Sequence, residues 1–215
     1  MKMLMKEWKL CMHPMGYIML LCAALILVPG YPYGVTCFYM GLAIFFICLE
    51  ARENHDAAYT LTLPVSRRDA VKGRILFCTV LEVMDLLLIA LFILFKQLIG
   101  GPRNPAGLDA GVALIGESLI IFAIFNMIFF PAYYSDINKP GKAFVFAASA
   151  VFLWIVLEIV GTYTVPFLVS LDQPDPANMS DKLLFTLAGL ALFLGGTAKS
   201  VQMSAKKFEA LDLSL

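Results

Sequence analysis

Apolar residues in this chain come in long runs, and those runs constrain its fold more than any other feature. Residues 14–28, 33–49, 73–95, 112–134, 143–168 and 182–198 are each dominated by Leu, Ile, Val, Phe, Ala and Met. The hydrocarbon core of a bilayer is about 30 Å thick, which about 20 helical residues cross. A backbone in hydrocarbon has no water to bond to, so each run must satisfy its own amides as a helix. The runs therefore predict an all-α, polytopic membrane protein with six transmembrane helices. The first run is the weakest of the six, and it needs either length from the residues before it or a locally thinned bilayer. Of the 215 residues, 60% are apolar and only 15% are charged. Soluble domains carry about 45–50% and about 25%. Much of the apolar surface must face lipid, and disorder and nucleic-acid binding are excluded. The runs and their loops use up residues 1–215, which predicts a single transmembrane domain.

Lys2, Lys6 and Lys9 precede the first run, as in a secretory signal. The run is followed by Pro29-Gly30-Tyr31-Pro32 rather than a small-x-small cleavage pattern, and Cys22 follows Leu20-Leu21. A retained first span is expected. Lys and Arg in alternate loops fix the orientation. One side holds Lys2, Lys6, Lys9, Arg52, Arg67, Arg68, Lys72, Arg74, Lys139, Lys142, Lys199, Lys206 and Lys207; the other holds Lys96, Arg103 and Lys182. Both termini are predicted to be cytoplasmic. Cys22, Cys37, Cys48 and Cys78 fall within apolar runs and Cys11 in the leader, so the cysteines read as apolar thiols rather than disulfides. No metal site is expected.

Two cytoplasmic pieces have patterns of their own. In residues 1–13, Lys2, Lys6, Lys9 and His13 share one helical face, with Leu4, Met5, Trp8, Cys11 and Met12 on the rest. That pattern suits an amphipathic helix lying in the headgroup layer. The alternative is a basic flank that only orients the first span. In the loop over 50–72, residues 51–62 are good helix formers, and Pro64 disfavours helical geometry in its predecessor. Ser66 followed by Asp69 has the spacing of a capping box, which predicts that the third span's helix starts there. A short helix, a proline break and a capped restart make a rigid elbow at the membrane surface.

Leu63-Pro64-Val65-Ser66-Arg67 and then Val71-Lys72-Gly73-Arg74, behind a short acidic helix, resemble the ABC-2 type transporter permeases. The pattern is most similar to the small six-span subfamily that includes permeases of bacterial phenol-soluble modulin and bacitracin-type exporters. The resemblance implies a dimeric permease in a bacterial plasma membrane, its second copy identical or a paralogue, carrying two copies of a cytoplasmic ABC ATPase. It implies that the loop after the second span is a coupling helix seated on the ATPase, and places that role on Glu53, His55, Tyr59, Leu63, Arg67 and Arg68. It further implies that residues 1–13 form a connecting helix at the same interface. Export of amphipathic or antimicrobial peptides by alternating access is the implied activity, with a lipid-like molecule as the second choice of cargo. One departure is the last outer loop, about 169–181, which is far shorter than the extended extracellular section of the family's large members. No cofactor is expected on this chain: ATP and Mg belong to the ATPase. Neither Gly195-Gly196-Thr197-Ala198-Lys199-Ser200 nor Pro140-Gly141-Lys142 fits the phosphate-cradling Gly-x-x-x-x-Gly-Lys-Ser/Thr pattern.

Glu82, Asp85, Glu117 and Glu158 fall inside spans, where a charged side chain costs roughly 2.5–3.5 kcal/mol at a helix centre. No Lys or Arg lies deep in a span to pair with them. They are either neutralised by a proton, or hydrogen-bonded to Asn126, Thr79, Thr162 or Tyr163, or lining a wet pathway for a cationic cargo. The last reading makes all four translocation-pathway candidates. Competing functions are an ATPase-independent immunity or scaffold protein, and an intramembrane enzyme. The enzyme reading lacks support: Glu50, Glu53, His55 and Asp56 form the one ligand-like cluster, it lies in a loop, and His-Glu-x-x-His is absent.

Overall fold

Where apolar runs meet helix-favouring ends, the chain folds as helices throughout. The computed structural model describes residues 6–8, 12, 14–62 and 64–211. Helix α1 covers Pro14–Leu21 and continues as a 3₁₀ helix over Cys22–Leu27. It is followed by α2 (Gly34–Glu53), α3 (Asp56–Thr62), α4 (Arg67–Ile99), α5 (Val112–Tyr133), α6 (Pro140–Thr164), α7 (Pro166–Leu171) and α8 (Met179–Glu209). No strand occurs among the described residues. Five helices, α2, α4, α5, α6 and α8, are long and apolar enough to cross a membrane, and the Pro14–Leu27 segment is shorter. Eight α-helical residues rise about 12 Å and six 3₁₀ residues about 12 Å, so that segment reaches about 24 Å.

Both ends of α4 have a local cause. Ser66 Oγ accepts the Asp69 backbone N–H at 3.1 Å and donates to the Asp69 carboxylate at 2.6 Å, which starts α4 where the capping pattern placed it. Gly100, at φ 72°, takes the left-handed conformation that closes α4, and its N–H donates to the Lys96 carbonyl. Two boundaries differ from the sequence reading. The helix expected across 51–62 is broken, because α2 runs on to Glu53 and the chain turns at Asn54-His55, with His55 at φ 49°. The run 143–168 is divided at Pro166, which pushes Val165 to an extended ψ of 115° by crowding its backbone.

Helix α5 is apolar on every side and contacts α2, α4, α6 and α8, which makes it the core helix of the bundle. Phe122, Phe125, Phe129 and Phe130 are all buried, and Phe125 and Phe129 stack with ring centroids 4.9 Å apart. That places the aromatic stripe of this span in packing. The most extensive helix contact is between α5 and α8, where a Cβ on Gly189 would fall 2.5 Å from the Gly116 carbonyl oxygen. The outward faces of α4 and α6 carry Leu87, Leu91, Leu94, Val156, Leu157 and Val160, all exposed, as a lipid-facing surface requires.

The helices alternate in direction, which gives the bundle two ends. One, the basic end, holds residues 6–8, α3, the start of α4, the α5–α6 turn and the end of α8. There Arg67 reaches the last carbonyls of α8, and Arg52 donates to the Asn138 carbonyl. At the opposite end three ion pairs knit the connections. Lys96 bonds Asp109 at 2.8 Å and the Tyr33 hydroxyl at 2.7 Å, Arg103 bonds Asp172 at 2.9 Å, and Lys182 bonds Asp175 at 2.6 Å. All three bases of that end are therefore paired with an acid.

Candidate functional site

At the basic end, four charged side chains and a hydroxyl converge beneath the helices. Arg74 stands two turns into α4, so its side chain reaches back toward the helix start and the elbow. Its Nε donates to Glu7 Oε2, and its Nη2 donates to Asp56 Oδ2 at 2.5 Å. Lys6 Nζ donates to Asp56 Oδ1 and Thr60 Oγ1, both at 2.8 Å, and to Glu7 Oε1 at 3.2 Å. Glu7 and Arg74 are 2% and 4% exposed. Two cations and two anions make the cluster neutral, which is the condition under which charges tolerate burial. Burial works against the Lys6 ammonium, but Asp56 and Glu7 outweigh it and hold its pKa above the ordinary 10.5. Tyr133, Tyr134 and Phe208 close over this cluster from α5 and α8. One neutral network thus joins the N-terminal segment, α3 and α4, with α5 and α8 as its roof.

A second polar node lies in the middle of the bundle. Asn126 Nδ2 donates to Glu82 Oε2 at 2.9 Å and to Thr197 Oγ1 at 3.2 Å, and Ser200 Oγ donates to the Asn126 carbonyl at 2.7 Å. Glu82 and Asp85 are both fully enclosed. Glu82 Oε1 and both Asp85 carboxylate oxygens have no hydrogen-bond partner.

The family model described as ABC-2 family transporter protein matches residues 2–209. The chain belongs to the ABC-2 transporter family. Neither a curated protein nor a solved structure shows a significant match to it. An ABC-2 permease is the membrane component of an ABC transporter and associates with an ABC ATPase. The basic-end cluster ties the elbow to α4, a helix long and apolar enough to cross a membrane.

The residues singled out from the sequence fall in different settings. Glu53, His55, Tyr59 and Arg68 form an exposed edge around α3. Glu53 accepts from its neighbour Arg52, and the His55 carbonyl accepts the Tyr59 N–H at 3.2 Å. Arg67 is turned elsewhere: it donates to the carbonyls of Phe208, Glu209 and Leu211 and lies 5.9 Å over the Phe208 ring. Leu63 lies outside the described residues, as do Lys2, Leu4, Met5, Lys9, Cys11 and His13 of the amphipathic segment.

The four span acids separate into two environments. Glu158 Oε1 accepts the Leu108 N–H at 2.6 Å, so it anchors the loop at the opposite end; Glu117 lies within its electrostatic reach. Of the neighbours expected to satisfy these acids, Asn126 does so. Thr79, Thr162 and Tyr163 donate instead to the carbonyls of Ile75, Ile159 and Pro105. The loop acids Asp172 and Asp175 are each paired with a base, Arg103 and Lys182. Burial pushes the Asp172 carboxyl above 3.8, partly offset by the Asp109 N–H and Arg103.

Sequence reasoning missed Glu7 and Arg74 as a pair. One signal was available: Glu7 is the sole acid before Glu50, in a segment otherwise basic and apolar.

Proposed function

We propose that the chain is the permease half of an ATP-driven exporter of cationic, amphipathic peptides. In this reading α3 and the start of α4 receive the stroke of the ATPase. Two permease copies meet two ATPase subunits, both termini are cytoplasmic, and Pro14–Leu27 is a sixth, short crossing. The observation that carries the reading is the Lys6–Glu7–Asp56–Thr60–Arg74 cluster. A force on α3 is not taken up by flexing of the elbow, because Asp56 is bonded to Arg74 of α4 and to Lys6. The load passes into α4, an unbroken helix of 33 residues with Glu82 and Asp85 at its middle. Alternating access then amounts to α4 and α5 rocking against the second copy.

Support for the sixth crossing comes from where its two ends are held. Lys6 and Glu7 are bonded to Asp56 and Arg74 at the basic end. Beyond the 3₁₀ segment, the Tyr31 carbonyl and the Tyr33 hydroxyl accept from Asn104 and Lys96 at the opposite end. The excess of Lys and Arg at the basic end supports its cytoplasmic placement. Glu82, Asp85, Glu117 and Glu158 place carboxyl groups in the interior, where a cationic cargo meets them once the helices part. The test is reconstitution of the permease with its ABC ATPase in vesicles, measuring transfer of a labelled cationic amphipathic peptide. Transfer that requires ATP and both subunits is expected. Transfer by the permease alone, or independent of ATP, contradicts the proposal.

A further inference from the structure

A half-open cavity of about 260 Å³ lies where the α5–α6 turn meets the end of α8, lined by none of the elbow-cluster residues. Its walls include Lys139, Lys142 and Lys207, with Asp136 the acid among its lining residues. Asp136 pairs with Lys139 at 3.3 Å, both side chains well exposed. Lys142 and Lys207 are exposed, and neither has an ion-pair partner among the described residues. The cavity therefore carries a surplus of two positive charges. Lys142 is in the first turn of α6, whose N-terminus has no side-chain cap, so the helix dipole adds to the same positive potential. Phe146 forms the cavity's other wall at 56% exposed, and Val145 beside it is 61% exposed. Both begin the outward apolar face of α6. A basic recess thus opens directly onto a lipid-facing surface, at the end of the bundle where headgroups lie.

We propose that this recess binds the headgroup of an anionic phospholipid, its phosphate held by Lys139, Lys142 and Lys207 and its acyl chains lying along Phe146 and the α6 face. A soluble anion would use the lysines but gain nothing from the apolar wall. A zwitterionic lipid would use the wall but bring no net charge. The site depends on the chain being embedded in a membrane and not on what the permease transports. Each lysine near an anionic surface is worth about 1 kcal/mol, so losing all three weakens binding on the order of a hundredfold.

Native mass spectrometry of the detergent-purified full chain, titrated with phosphatidylglycerol, phosphatidylcholine or inorganic phosphate, tests the site. Expected is retention of phosphatidylglycerol in preference to phosphatidylcholine, with no competition from inorganic phosphate at equal concentration. The triple variant Lys139→Gln/Lys142→Gln/Lys207→Gln loses that preference, and a control triple variant at Lys72, Lys199 and Lys206 keeps it. Asp136→Asn removes the opposing acid and tightens binding about fivefold, a gain that misfolding cannot mimic. Equal loss in the control variant, equal retention of phosphatidylcholine, displacement by phosphate, or no gain in Asp136→Asn overturns the proposal.

Discussion

At the residue scale, the elbow cluster turns on Arg74, which holds two carboxylates from different segments. Removing one partner of a buried ion pair costs about 3–5 kcal/mol, since the other charge is left enclosed. Arg74→Gln is therefore expected to lower unfolding stability by about 3 kcal/mol. Adding Glu7→Gln to Arg74→Gln should restore part of that loss, and additive losses in a double-mutant cycle contradict direct pairing. The raised pKa of Lys6 gives the cluster a defined pH range. Its contribution is complete below about 10.5 and is lost as pH rises through the higher folded-state value. Stability attributable to Lys6 should thus be flat from pH 6 to 9 in a comparison with Lys6→Met. Within the spans, Glu82→Gln with Asp85→Asn should depress export of a cationic peptide about tenfold, through loss of roughly 1.4 kcal/mol of attraction. Unchanged export would exclude these acids from the pathway.

Single elements differ in how openly the sequence encodes them. The start of α4 was legible because Ser66 and Asp69 act on each other across three residues. Local chemistry of that kind needs no knowledge of the rest of the fold. Ser66→Ala is expected to cost about 1 kcal/mol, measured as a lowered melting temperature of the purified permease. The break at Val165-Pro166 was equally local and was passed over because apolar composition runs straight through it. The α5–α8 contact was hidden for a different reason. Gly116 and Gly189 are far apart in sequence, and each alone is an unremarkable glycine in an apolar run. The Gly-x-x-x-Gly spacings that the sequence does contain, at 30–34 and 107–111, involve loop or helix-edge positions. Gly189→Leu should force α5 and α8 apart and destabilise the bundle by about 3 kcal/mol or prevent folding. The same change at Gly195, whose Cβ position is open, should be close to neutral.

For the molecule as a whole, composition and the spacing of apolar runs were enough to read a helical membrane protein, and the elbow residues were enough to suggest its family. The site was only partly legible. The exposed edge of α3 follows from its sequence, but the union of Glu7, Asp56 and Arg74 arises when three separated segments fold against one another, and no local pattern records it. Arg67 illustrates the converse: it lies in the motif, yet its guanidinium closes the end of α8. In the proposed mechanism, motion of α3 reaches α4 through Asp56. Asp56→Asn cuts that tie while leaving the Glu7–Arg74 pair in place. The most direct measurement is ATP hydrolysis and peptide transfer, side by side, for the reconstituted Asp56→Asn permease with its ATPase. Near-normal hydrolysis is expected, with transfer reduced about tenfold, equivalent to roughly 1.4 kcal/mol of lost coupling. Hydrolysis and transfer both unchanged, at equal protein content, would contradict this mechanism.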